Sequence, residues 1–150
     1  MILDLNEQNI NLAALQIRAG GICAFPTETV YGLGGDAFNQ TAVAKIFAVK
    51  KRPFFDPLII HIASLDTLRR LVDFSLLSKE NIEKLDILSK NLMPGPLTLI
   101  LPKLQAVPDI TTGSLATAAV RMPSYKGALC LIKESGGGLL QHLVRTYLVI

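Results

Sequence analysis

Three groups of residues in this chain have types and spacings that could do chemistry. The first is the run Pro26-Thr27-Glu28-Thr29-Val30-Tyr31-Gly32-Leu33-Gly34, which follows the apolar stretch Gly21-Ile22-Cys23-Ala24-Phe25. A buried strand that ends in hydroxyls, a carboxylate and glycines presents hydrogen-bonding groups at a sheet edge, where α/β proteins bind ligands. A plain turn after a core strand has the same composition. The second group is Lys50-Lys51-Arg52, just before Pro53. An ammonium and a bidentate guanidinium on a rigid junction make a phosphate clamp, and they equally make a solvated helix end. The third is a pair of single residues on apolar strands. His61 lies within Leu58-Ile59-Ile60-His61-Ile62-Ala63, and Arg121 ends Thr117-Ala118-Ala119-Val120-Arg121. By strand alternation His61 shares a face with Ile59 and Ala63, either as a satisfied half-buried histidine or as a ligand contact. Arg121 wants an anion, either an internal carboxylate or a substrate.

No nucleophile–base–acid set accompanies these residues. Gly-x-Ser-x-Gly, Gly-x-x-x-x-Gly-Lys-Ser/Thr and paired carboxylates are all missing. That pattern suits a reaction run by positioning substrates and neutralising phosphate charge, without a covalent intermediate.

The elements that must hold these groups can be read from periodicity. Residues 7–19 carry Ile10, Leu12, Ala14, Leu15 and Ile17 on roughly one helical face, and Gly20-Gly21 stops them. A strand at 21–25 follows. Asn39 or Thr41 caps a helix that buries Val43, Ile46 and Phe47, has Lys50 near its end, and closes at Arg52-Pro53. Leu58 to Ala63 is a strand, and Ser64 caps a short helix to Leu71. Ser78 caps another helix, with Ile82, Leu85 and Leu88 spaced for burial, which Pro94-Gly95-Pro96 breaks. Strands at Leu97–Leu101 and Thr117–Val120 and a helix from Ser124 to Ser135 complete the pattern, with Gly136-Gly137-Gly138 as its stop. Interleaved strands and helices predict an α/β or α+β fold around a buried sheet.

With 150 residues, half of them apolar, the chain has enough material for one domain with a core and is not disordered. Cys23 and Cys130 are far apart in apolar surroundings, so they are expected as buried thiols of a cytoplasmic protein, with no disulfide framework and no metal site. The chain opens without a signal-peptide pattern, and its apolar runs are too short to span a membrane. A net charge of +3 is compatible with an anionic ligand or RNA and selects neither.

Taken in order, five segments resemble the YrdC-like family of L-threonylcarbamoyladenylate synthases. They are Pro26 to Gly34, Lys45-Ile46-Phe47 with Lys50-x-Arg52-Pro53, Pro57-Leu58-Ile59 with His61, Pro94-Gly95-Pro96-Leu97-Thr98, and Thr117 to Pro123. The resemblance covers residues from about 10 to 138, in a domain taken as 7–150. It implies a twisted mixed sheet flanked by helices, incomplete at the C-terminus, around a concave, positively charged cleft. It implies that L-threonine, bicarbonate and ATP give threonylcarbamoyl-AMP and pyrophosphate, for a downstream threonylcarbamoyl transferase acting on tRNA. ATP enters as a substrate with Mg²⁺, and no tightly bound cofactor is implied. Carried over residue by residue, Thr29, His61 and Arg121 hold L-threonine. Lys50 and Arg52 hold the ATP phosphates and carry the catalytic role, Thr117 lies near the nucleotide, and Tyr31 shapes the cleft wall. Asp56 stands where the family usually has asparagine. A carboxylate facing ATP repels phosphate unless a metal ion or Lys51 intervenes.

The family also needs a Ser-x-Asn motif soon after the glycines, in a run like AAPSANLSG. This chain instead continues from Leu139 to Ile150 with no such motif. Read one base over from codon 140, its codons permit that nine-residue run in the expected place. Residues 139–150 are therefore expected to be out of frame, leaving the adenylate short of two hydrogen-bonding side chains and the chain weakly active or inactive. The apolar tail from Leu143 to Ile150 is an aggregation risk if unpacked. Two other readings compete. One is a tRNA- or double-stranded-RNA-binding module without catalysis, set against few aromatics and mild basicity. The other is a carbamoyl-transfer maturation domain, set against the lack of zinc-finger or acylphosphatase segments.

Overall fold

A computed structural model of the chain describes residues 2–51 and 53–143. Helix α1 (Glu7–Arg18) starts at Asn6, whose side chain accepts the Asn9 amide at 2.9 Å. Only Ala14 and Ile17 are fully buried on it; Leu12 and Leu15, expected on the same face, are about half exposed. The helix packs on one flank, against α5, so a narrower stripe is covered than the periodicity suggests.

Strand β1 (Cys23–Pro26) turns back into β2 (Tyr31–Asp36), pairing Cys23 with Gly34 and Phe25 with Gly32. The glycine-rich segment that reads as a sheet-edge turn is thus largely a strand. Asn39 caps α2 (Gln40–Lys50) by accepting the amides of Thr41 and Ala42, and Val43, Ile46 and Phe47 are buried as expected. Lys51 ends the helix in a left-handed conformation, φ 49°. Strand β3 is Ile59–Ile62. The expected helix after Ser64 is a 3₁₀ turn over Leu65–Arg70, and the Ser64 side chain makes no capping hydrogen bond. Ser78 does cap α3 (Lys79–Leu92), accepting the Asn81 amide. Of its expected buried positions only Leu85 is covered; Ile82 and Leu88 are about 40% exposed. Strand β4 (Thr98–Pro102), the short helix α4 (Asp109–Thr112), β5 (Thr117–Arg121), α5 (Lys126–Glu134) and β6 (Gly138–Leu143) follow.

The six strands form one mixed sheet in the order β1-β2-β6-β3-β5-β4, in which β3 and β5 run parallel and every other pair is antiparallel. Period-2 alternation then divides the side chains between two faces. Ile60, Ile62, Ala118 and Val120 face the larger core with α2, which includes Phe47 and Leu58. Phe25 faces a smaller core with Ala14 and Ile17 of α1 and Ala128, Leu131 and Ile132 of α5. Those α5 residues fix its inner side, and Cys130 between them is exposed rather than buried; Cys23 is half-buried. Among the described residues no helix is long and apolar enough to cross a membrane. The expected tail from residue 144 onward lies outside the described residues.

Candidate functional site

The parallel register of β3 and β5 puts His61 directly beside Arg121, and the antiparallel register of β4 puts Thr98 next in the same row. These three residues share the face that α1 and α5 cover only in part. Two residues back along β3 and β5, and two residues forward along the antiparallel β4, Ile59, Ala119 and Ile100 form the next row, and Ile100 is 73% exposed. The face is therefore open toward β4.

The β1–β2 turn closes over one end of this row. The Thr27 hydroxyl donates to the Val30 carbonyl at 2.6 Å and accepts the amides of Thr29 and Val30 at 3.3 and 3.2 Å. Its oxygen also lies 3.2 Å from that of Thr29. This local clamp holds Glu28 where Arg121 Nη2 donates to its Oε1, and both side chains are mostly buried. Arg121 thus has an internal carboxylate as partner. In the sequence Glu28 stands out only as part of a polar cluster, because nothing local connects it to a residue 93 positions away.

The electrostatics follow from burial. Desolvation pushes the Glu28 carboxyl up. Hydrogen bonds from its own amide, from Arg121 and from the Tyr125 amide, with the Arg121 charge, outweigh that and hold it below its ordinary value. His61 is only 3% exposed, well beyond the half-burial expected of it. Burial first, and the Arg121 charge second, press its pKa down to about 4, against smaller opposing effects of the Ile59 backbone and the Glu28 charge. His61 is consequently neutral near pH 7. Two atoms here, His61 Nδ1 and Arg121 Nε, are buried without a hydrogen-bond partner among the described residues. Leaving such a group unpaired costs about 1–3 kcal/mol, so the two nitrogens mark positions where a polar ligand would be favoured.

The remaining expected site residues lie on α2, on the loop before β3 and at the start of β5. Lys50 is the last residue of α2, and Lys51 follows it in the left-handed turn. Arg52 lies outside the described residues. The loop that leads to β3 is pinned by the Phe54 ring 5.2 Å from that of Phe47, and by the Leu58 amide donating to the Thr111 carbonyl at 3.0 Å. Asp56 is half-buried in it. Thr117 opens β5 at the end where this loop enters β3, because β3 and β5 are parallel. It precedes Arg121 by four residues, about 13 Å along the strand. Strand register and the ion pair thus bring Glu28, His61 and Arg121 together, with Thr29 one residue from Glu28 in the turn, and Thr117 lies farther back along β5. Tyr31, expected at a cleft wall, lines a mostly apolar pocket of about 410 Å³ with Leu3, Leu5, Ile10, Cys23 and Phe25. Among the described residues no group of three or more His, Cys, Asp or Glu could hold a metal ion.

A family model named Sua5_yciO_yrdC and described as "Telomere recombination" matches residues 15–146. The chain belongs to the Sua5/YciO/YrdC family. It is 50% identical over 131 residues to the threonylcarbamoyl-AMP synthase of Pyrococcus abyssi, covering 87% of this chain and 37% of that protein. It is 46% identical over 135 residues to the Bacillus subtilis protein of the same name, covering 89% and 37%. Among solved structures it resembles P. abyssi Sua5 complexed with L-threonine, with TM-score 0.85 and 47% identity over 91% of this chain and 38% of the other. The chain spans 37% of the length of each of these two curated relatives. The mixed sheet expected from the five segments is the fold this Sua5/YciO/YrdC chain shares with that structure.

Proposed function

We propose that this domain makes threonylcarbamoyl-AMP and pyrophosphate from L-threonine, bicarbonate and ATP, in the cytoplasm, for tRNA modification by a downstream transferase. The relatives' names support the reaction class. The observation that carries it for this chain is the side-by-side pair His61 and Arg121, each with one buried, unpartnered nitrogen at the end of an open sheet face. Arg121 receives the amino-acid carboxylate. His61, neutral at physiological pH, hydrogen-bonds the hydroxyl or amine of threonine, with Thr29 beside it. A histidine with a pKa of about 4 is a poor proton acceptor at pH 7, so its role is orientation. Lys50 and Arg52 neutralise the ATP phosphates, with Thr117 near the nucleotide and Mg²⁺ arriving as the ATP complex. Lys51 or that Mg²⁺ offsets the charge of Asp56. The threonine amine and bicarbonate condense to a carbamate with loss of water. A carbamate oxygen then attacks the α-phosphorus, and the bond to the β-phosphate oxygen breaks as pyrophosphate leaves with the electron pair.

Residues 139–150 bear on the second half of this reaction. The β6 ladder to β2 and β3 is made by backbone groups, which do not depend on reading frame. The Ser-x-Asn side chains implied by the resemblance are missing from this stretch. We therefore expect threonine binding with slow adenylate formation. Calorimetric titration with L-threonine, against Arg121→Met, tests the first part; ATP- and threonine-dependent pyrophosphate release tests the second. No threonine binding, together with salt-dependent RNA binding, would replace the synthase reading by the RNA-binding one. Full-rate pyrophosphate release, or coding DNA that cannot spell the motif one base over, would refute the frame assignment.

A further inference from the structure

Arg121 presents its guanidinium with one prong taken. Nη2 donates to Glu28 Oε1, while Nε on the same edge is buried and has no partner among the described residues. A carboxylate that meets a guanidinium edge-on makes two parallel hydrogen bonds, one to each of these nitrogens. Glu28 makes only the Nη2 one of them.

We propose that Glu28 is a displaceable place-holder on Arg121. A ligand carboxylate takes both the Nε and Nη2 positions, and Glu28 withdraws. This rests on reading Arg121 as the seat of the amino-acid carboxylate. Three observations carry it. Nε is buried and Nη2 is occupied by Glu28, so a ligand carboxylate reaches the full edge only when Glu28 gives up its position. The turn from Thr27 to Val30 is held by the Thr27 hydroxyl and backbone groups, so the Glu28 side chain can leave without undoing the turn. Exchanging one carboxylate for another also keeps the Arg121 cation paired in both states, which avoids stranding a largely buried charge. The ligand class follows: the displacing group is an anionic carboxylate, and an amide analogue such as threoninamide is rejected. Glu28 is in this sense a positioning residue acting through Arg121.

Titration calorimetry on the full chain tests this with L-threonine and with 3-hydroxybutyrate, which lacks the amine. Glu28→Gln replaces a charged competitor by a neutral one, so the dissociation constants of both ligands should fall about tenfold. Glu28→Ala should lower them further. A purely structural Glu28 would weaken binding when removed, so tightening is diagnostic. Unchanged or weaker binding of both ligands overturns the proposal while leaving the synthase reading intact. Weaker binding of threonine alone also overturns it, because Glu28 would then be holding the amine. If L-threonine binds to neither wild type nor variants, the functional reading fails and this one with it. Should the variants not fold, wild type decides by NMR. The Glu28 carboxyl carbon and the Arg121 Nε–H resonances must both move on adding L-threonine, and a stationary Glu28 signal refutes displacement.

Discussion

Replacing His61 by glutamine should remove a specific, calculable sensitivity to acid. The folded His61 has a pKa of about 4 against an ordinary value of 6.5. Below pH 6.5 the unfolded chain takes up a proton at this residue that the folded chain refuses. Unfolding is therefore favoured progressively as the pH falls from 6.5 toward 4. Each unit of difference is worth about 1.4 kcal/mol, so the full window amounts to about 3 kcal/mol. Between pH 7 and pH 5 the loss should be about 2 kcal/mol. Because the side chain is 3% exposed, little solvent screening reduces this figure. Glu28 acts in a lower window: its folded pKa lies below 4.5, so its contribution is present above that value and fades only beneath it. The interval from pH 6.5 to 5 thus isolates His61.

The assay is urea unfolding of wild type and His61→Gln at pH 7, 6 and 5. Glutamine is neutral and polar throughout, and the chain's other histidine, His142, is common to both proteins. Only the difference between the two pH profiles matters, and it should reach about 2 kcal/mol at pH 5, with the variant flatter. Profiles parallel to within about 0.5 kcal/mol would show that His61 is not held neutral by burial. A wild type that gains stability relative to the variant on acidification would show a raised pKa, reversing the argument for His61 as a neutral orienting group.

Other consequences follow from single observations. Asn39→Ala removes the acceptor for two amides at the start of α2 and should cost about 1 kcal/mol in urea unfolding at unchanged m-value. Gly113 has φ +59°, and an added Cβ would sit 2.5 Å from the Phe55 carbonyl oxygen; Gly113→Ala should cost at least about 2 kcal/mol and shift NMR signals across the loop that carries Asp56. Native-state thiol labelling should be biphasic, with exposed Cys130 reacting fast, and Cys23, whose pKa burial raises, reacting slowly.

What was legible in the sequence was local. Helix α2 could be read because its cap, Asn39, and its buried stripe of Val43, Ile46 and Phe47 lie within nine residues. Strands β3 and β5 could be read because they are largely apolar, buried runs, each carrying a polar residue near its C-terminal end. Strand β2 could not, since Tyr31 to Asp36 contains three glycines and owes its extended form to ladders with β1 and β6. The stripes of α1 and α3 were overestimated because periodicity marks what can be buried, whereas partner elements decide what is. His61 and Arg121 were visible as polar residues on apolar strands. Their adjacency, and the closure of Glu28 over Arg121, come from strand register and a hairpin, and register is a property of pairs of segments.

The same distinction separates folding from chemistry at β6. This strand lies between β2, which continues from the turn bearing Glu28, and β3, which bears His61. It is held there by pairing Gly34 with Gln141 on one side and Ile59 with Gln141 on the other. Backbone ladders accept almost any extended sequence, so Leu139 to Leu143 can complete the sheet whatever frame encodes them. Hydrogen bonds to an adenylate depend instead on particular side chains at particular places. On the proposed function, a change confined to residues 139–150 would therefore leave the Arg121 seat standing while removing the Ser-x-Asn side chains that the resemblance assigns to the adenylate. Normal threonine affinity with depressed pyrophosphate release is the pairing this predicts. Loss of both together would mean that the strand's side chains, and not its backbone alone, hold the sheet around the site.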